Sequence, residues 1–206
     1  MKLLSLLLSL AALSPGMQGQ NGPVLIFIGP PGSGKSVQAA AAAKTFNLPL
    51  VTSDQLIKDN RQALSNTRTP GITGMEPETD PMLNDFFGQR VKQMDTSKGM
   101  VLDGYPITKD QCDFVAKLAL RGDIPRPVVV RLNVPDKTAL KRMKKENTKS
   151  MTSVDQRLKD YHREMDLIQY YFPNATILEI DATKKLNKVT QAVNSALRAE
   201  LAKVNK

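Results

Sequence analysis

The chain has 206 residues, with 29 Lys and Arg against 20 Asp and Glu, a formal charge of +9, and 41% hydrophobic residues. That length and apolar content support one ordinary domain with a real core and exclude disorder of the whole chain, while the positive charge points to an anionic partner: nucleic acid, lipid or nucleotide phosphate. Cys112 is the only cysteine and His162 the only histidine, which excludes an intrachain disulfide and a Cys-based zinc site and disfavours any metal site built from side chains alone.

Residues 1–19 have the layout of a secretory signal peptide. Lys2 gives a positive start, Leu3 to Leu13 is an apolar run, and Ser14, Pro15 and Gly16 supply small residues where a peptidase would cut. The run is too short to cross a bilayer as a helix. The reading predicts an exported or periplasmic protein whose domain covers residues 20–206. The alternative is a cytoplasmic protein whose true start is Met17.

Five runs of branched apolar residues then follow in order: Val24 to Ile28, Pro49 to Thr52, Met100 to Leu102, Val128 to Val134 and Thr176 to Ile180. Segments long enough for helices separate them, which predicts an α/β domain with a parallel sheet covered on both faces. Thr108 with Gln111, and Ser153 with Gln156, read as capping boxes. The first precedes Phe114, Val115 and Leu118; the second opens a helix with Val154, Leu158, Tyr161, Met165 and Ile168 inward. Thr69 to Pro81 carries three prolines and two glycines and breaks the alternation, so it reads as a loop or small excursion. Lys185 to Lys206 reads as an amphipathic helix with Leu186, Val189, Ala192, Val193, Ala196 and Leu197 inward.

Gly29, Pro30, Pro31, Gly32, Ser33, Gly34, Lys35 and Ser36 match GxxxxGK[ST], placed directly after an apolar strand and before an Ala-rich helical segment. The glycines let consecutive backbone amides turn inward around a phosphate, and the helix N-terminus adds partial positive charge. Lys35 would reach the outer phosphates of a nucleotide, and the Ser36 hydroxyl would ligate Mg²⁺. The dull alternative is a glycine-rich turn with no ligand.

From here the chain resembles the adenylate kinase family. The loop continues as Lys35, Ser36, Val37, Gln38, close to that family's KGTQ. Asp103, Gly104, Tyr105, Pro106 and then Gln111 are close to its DGFPRxxxQ. Thr52, Ser53, Asp54 stand for TGD, Arg157, Leu158, Tyr161 for RLxxY, and Ile180 to Lys184 for an adenine loop. The order holds from Pro23 to Leu201.

The resemblance implies a P-loop NTPase-type five-stranded sheet in the order 2-3-1-4-5, a monophosphate-binding excursion over residues 53–81 and a short lid over residues 142–157. It implies transfer of the terminal phosphoryl of MgATP to a nucleoside monophosphate, most simply AMP, with Mg²⁺ as cofactor. Such transfer depends on positioning and charge stabilisation more than on any base. ATP would be held by Gly29, Pro31, Gly32, Ser33, Gly34, Lys35, Ser36, Val37, Arg142 and Lys184. Within that set Arg142 would stack on the adenine. Lys35, Arg142 and Arg157 form the catalytic set, with Arg157 on the transferring phosphoryl. Asp103 and Ser36 would serve the metal, partly through water. Thr52, Asp54, Gly104 and Gln111 would form the acceptor side, Thr52 and Gln111 reading the base. Plainer roles stand beside these: helix capping for Gln111, a turn or cap for Asp103, and a surface ion pair with Asp155 or Asp160 for Arg157. The expected state is a monomer that takes ATP and a monophosphate, with no nucleic acid partner and no stable membrane association.

The departures from the family pattern fall in one place. Ile107 stands where the family has the arginine of DGFPR, and Ile57 where it has an arginine three residues after the TGD aspartate. Neither aliphatic chain replaces a bidentate guanidinium, and Lys58 points about 100° away on a helix. The lid has no arginines between Arg142 and Arg157; Lys144, Lys145 and Lys149 supply its charge. Losing two charge-assisted contacts of about 1.5–3 kcal/mol each weakens acceptor handling by orders of magnitude unless compensated. Three readings follow: a kinase whose acceptor phosphate is gripped by other residues or whose acceptor differs from AMP, a nucleotide-binding protein with little transfer, or a polyanion binder. The last is disfavoured by the 5% aromatic content and absence of Trp.

Overall fold

The computed structural model describes residues 22–62, 80–125, 127–145 and 154–204. Five parallel strands, β1 (Val24–Ile28), β2 (Leu50–Thr52), β3 (Met100–Asp103), β4 (Pro127–Asn133) and β5 (Thr176–Asp181), form one sheet in the order β2-β3-β1-β4-β5. That is the expected order, and every expected strand lies within one residue of its observed ends. Val24 sits opposite Met100 on one side and Pro127 on the other, so β1 is the central strand.

Both faces of the sheet are covered, as parallel strands with no polar alternation require. Val24, Ile26, Ile28, Met100 and Leu102 point into one core, shared with α2 (Ser53–Asp59), α3 (Asp80–Gln93), α4 (Lys109–Arg121) and most of α6 (Val154–Tyr171). Leu25, Phe27 and Val101 point into the other, against α1 (Lys35–Phe46), α5 (Asp136–Lys145) and α7 (Leu186–Val204). Small side chains on α1, Ala39, Ala42 and Ala43, are buried against the sheet. Their size lets this helix approach closely, which fixes its N-terminus at the end of β1.

Two inward expectations for α7 are overturned. Leu186 is 53% exposed because it opens the helix beside the β1–α1 loop, where its Cδ1 lies 3.6 Å from the space a side chain at Gly34 would occupy. Ala192 is also exposed; the buried line runs through Val189, Val193 and Leu197, four residues apart, and Ala192 falls on its flank. On α6, Leu158, Tyr161, Met165 and Ile168 are buried as expected. Ser153 of the second capping box lies outside the described residues, as do the signal-like segment, residues 63–79 of the excursion and residues 146–153 of the lid. No described helix is long and apolar enough to cross a membrane.

Candidate functional site

The site assembles at the carboxyl ends of β1 and β3, where the chain reverses its direction of building across the sheet, the place where open α/β sheets bind ligands. After β1 the chain turns through Gly29 to Gly34, with Ser33 N–H donating to Pro30 O at 3.0 Å. Gly32 and Gly34 adopt φ of +75° and +83°, the left-handed region that glycine tolerates. A Cβ on Gly32 would also lie 3.0 Å from Arg142 Cβ. α1 then begins with its first-turn amides unbonded, as at any helix start, and carries no acidic residue in that turn. Acids do stand in the first turns of α2 to α6. The positive end of α1 is therefore left for an anion from outside. The buried Ser33 hydroxyl faces the same loop with no hydrogen-bond partner.

The Lys35 ammonium forms an ion pair with Asp103, which lies opposite Phe27 in the β1–β3 register. The adjacent strands thus bring together the two residues expected to serve phosphate and metal. Gly104 follows with φ of +70°, and a Cβ there would sit 2.5 Å from Ser53 Oγ. Glu164 on α6 faces the same pair. Burial pushes its carboxyl up to about 7, with Lys35 pulling it down in part and Asp103 adding to the rise.

On the expected donor side, Arg142 donates to the carbonyls of Gly32 at 3.1 Å, Ala182 at 2.9 Å and Thr183 at 3.0 Å. One guanidinium thereby ties the phosphate loop to the turn after β5. Lys184 lies 3.5 Å from Asp181, whose carboxyl is held below the usual range by the hydroxyl and amide of Thr183. Ser36 and Val37 are exposed at the mouth of the loop.

The expected acceptor side is different. Gln111 is 1% exposed; its Oε1 accepts from Ile107 N–H at 2.9 Å and its Nε2 donates to Asp80 Oδ1 at 2.8 Å. Both ends of the side chain are engaged inside the protein in this ligand-free arrangement, which is the capping role expected beside base reading. The cap itself departs from the expected box: Thr108 Oγ1 accepts from Gln111 N–H, but the glutamine bonds the amide one residue before Thr108. Asp80, fully buried at the start of α3, also accepts from the Thr108 hydroxyl. Thr52 caps α2, its Oγ1 accepting from Gln55 N–H at 3.0 Å. Asp54 is exposed in the first turn of α2, and Ile57 packs against the core.

A cleft of about 360 Å³ opens at the phosphate loop. The phosphate loop lines it together with Ile107 and, from α6, with Arg157, Asp160, Tyr161, Arg163 and Glu164. Among the described residues no carboxylate pairs with Arg157, so the expected surface ion pair with Asp155 or Asp160 is not made. Asp160 instead accepts from Arg163 at 3.1 Å and from Gln156 at 3.0 Å. Sequence reasoning missed Glu164, Arg163 and Asp80. The helical spacing of 157, 160, 161 and 164 places those four on one face and was the available signal for Glu164. Asp80 was signalled by the Asp-Pro pair opening a helix.

Comparison with known proteins agrees with this architecture. The adenylate kinase from Mesorhizobium japonicum is 27% identical over 191 residues, covering 85% of this chain and 96% of its own length. Adenylate kinase 1 from a Nostoc species is 28% identical over 182 residues, covering 84% and 97%. The Micrococcus luteus adenylate kinase is 26% identical over 185 residues, covering 84% and 89%. The family model for adenylate kinase matches residues 27–176, from β1 to the start of β5 and through every part of the cleft. With the sheet order, the phosphate loop and that match in agreement, the chain belongs to the adenylate kinase family.

Proposed function

We propose that the protein transfers the terminal phosphoryl group of MgATP to a nucleoside monophosphate, with AMP as the acceptor. The observation that carries this reading is the Lys35–Asp103 pair beside the phosphate loop, with Arg157, which pairs with no described carboxylate, lining the same cleft as Lys35. In the transfer, an acceptor phosphate oxygen attacks the terminal phosphorus as the bond to the bridging oxygen of ADP breaks. The protein has to hold both phosphates in line and balance spread negative charge. Loop amides and Lys35 would take the donor phosphates, and Arg157 would face the group in transit. Arg142 and Lys184 would border the donor base.

The oxygens present fit Mg²⁺. Asp103 supplies a carboxylate and Ser36 an exposed hydroxyl, hard donors on either side of Lys35. Among the described residues no three-ligand protein cluster exists, so the ion would be shared with the nucleotide phosphates. It would supply charge neutralisation there.

Ile57 and Ile107 favour a second reading, in which nucleotide binds with little transfer. A coupled assay separates the two. With ATP, AMP and Mg²⁺, ADP formation well above that of Lys35→Ala is expected. If the wild type makes no more ADP than the variant, while ATP still raises its melting temperature, transfer to AMP is ruled out and the binding reading stands.

A further inference from the structure

We propose that Arg163 supplies the guanidinium contact to the acceptor phosphate that Ile107 does not make. This rests on the proposed transfer and names the residue that would complete its acceptor side. Three described cations line the cleft: Lys35, Arg157 and Arg163. Lys35 is engaged with Asp103 beside the phosphate loop, and the proposed function assigns Arg157 to the group in transit. Lys58, the nearest cation in sequence to Ile57, is exposed on α2 and does not line the cleft.

Arg163 lies six residues beyond Arg157 on the same helix, about 9 Å along its axis and about 120° around it, and both side chains line the cleft. The two guanidinia therefore serve two separate places on one wall, and Ile107 faces the same space. The Arg163 side chain is 64% exposed, and its ion-pair partner among the described residues is Asp160 at 3.1 Å. An exposed pair of this kind is weak, whereas a phosphate dianion offers a guanidinium two parallel charge-assisted bonds. Arriving phosphate would take Arg163 from Asp160. Asp160 keeps the donor from Gln156 when that happens. Glu164, next in the chain, faces Lys35 and Asp103 instead.

The test uses the full chain, with calorimetric titration of AMP, adenosine and ATP, and steady-state kinetics alongside. Arg163→Ala is expected to weaken AMP binding and raise the KM for AMP at least about tenfold. Adenosine binding and the KM for ATP should stay within about twofold. Arg163→Lys should recover only part of the loss, since an ammonium cannot bond bidentately. Asp160→Asn breaks the same ion pair without removing Arg163, and should leave AMP binding as tight as in the wild type or tighter. An Arg163→Ala enzyme that turns over AMP with an unchanged KM overturns the assignment while leaving the proposed function intact. Loss of AMP affinity in Asp160→Asn equal to that in Arg163→Ala overturns it too, by showing a structural role for the pair. A wild type that neither binds nor phosphorylates AMP overturns both.

Discussion

Glu164→Gln tests the electrostatics of the cleft through stability rather than turnover. An ordinary glutamate titrates near 4.5, and in the folded protein this carboxyl is pushed up to about 7, first by burial and secondarily by Asp103, against the pull of Lys35. Below the ordinary value the group is protonated in both folded and unfolded chains and costs nothing. Between about 4.5 and 7 the unfolded chain loses the proton while the folded chain keeps it, so folding becomes less favourable as pH rises. At 1.36 kcal/mol per unit, the deficit is under about 1 kcal/mol at pH 5, about 3 kcal/mol at pH 7 and at most about 3.4 kcal/mol above it. That is a sizeable share of the 5–15 kcal/mol typical of a domain. Glutamine carries no such charge. Urea unfolding at pH 5, 6, 7 and 8, without nucleotide, should therefore show the variant and wild type nearly equal at the acid end and the variant more stable at pH 8. A gap that stays flat across this range, or a variant less stable at pH 8, would refute the argument that burial dominates over the attraction of Lys35.

Two further outcomes follow from the hydrogen bonds. Gln111→Ala strips a donor from buried Asp80 and an acceptor from Ile107 N–H, and is expected to cost about 3 kcal/mol in urea unfolding. It should leave the preference between AMP and GMP unchanged; a changed preference with no loss of stability would mark Gln111 as a base reader. Arg142→Ala removes three carbonyl bonds joining the phosphate loop to the β5 turn. It is expected to destabilise by about 2 kcal/mol and to weaken ATP binding more than AMP binding, measured by melting temperature and calorimetry. Arg142→Lys should rescue little, because one ammonium lacks the fork that reaches three carbonyls.

The sheet was legible because its strands are short apolar runs bounded by turn residues, and because GxxxxGK[ST] announces its own strand and helix. The donor end of the cleft was legible for the same reason: Asp103 ends β3 and Lys35 opens α1 straight after the phosphate loop, places where sequence position nearly dictates spatial position. Residues placed by helix packing were harder to read. Leu186 and Ala192 fit an amphipathic pattern as well as their buried neighbours do, and only the seating of α7 beside Gly34 decides which face turns inward. Gln111 fitted two roles on sequence alone. Its bond to Asp80, thirty-one positions away, joins residues that no local pattern connects. Glu164 could not be valued before the fold was known, since a glutamate on a polar helix is unremarkable until Lys35 and Asp103 are found opposite it.

The buried bonds from Asp80 to Thr108 and Gln111 also bear on how this chain can be re-engineered. They fasten the start of α3 at residue 80, while Leu56, buried on α2, fastens the helix that precedes residue 63. A segment whose two ends are pinned independently of its contents can be exchanged for another of different length, because loop closure costs grow only slowly with the number of residues. On the proposed reading that segment belongs to the acceptor side, so a graft of residues 63–79 from a relative, with Leu56, Asp80, Thr108 and Gln111 retained, would alter acceptor choice and leave the ATP platform as it is.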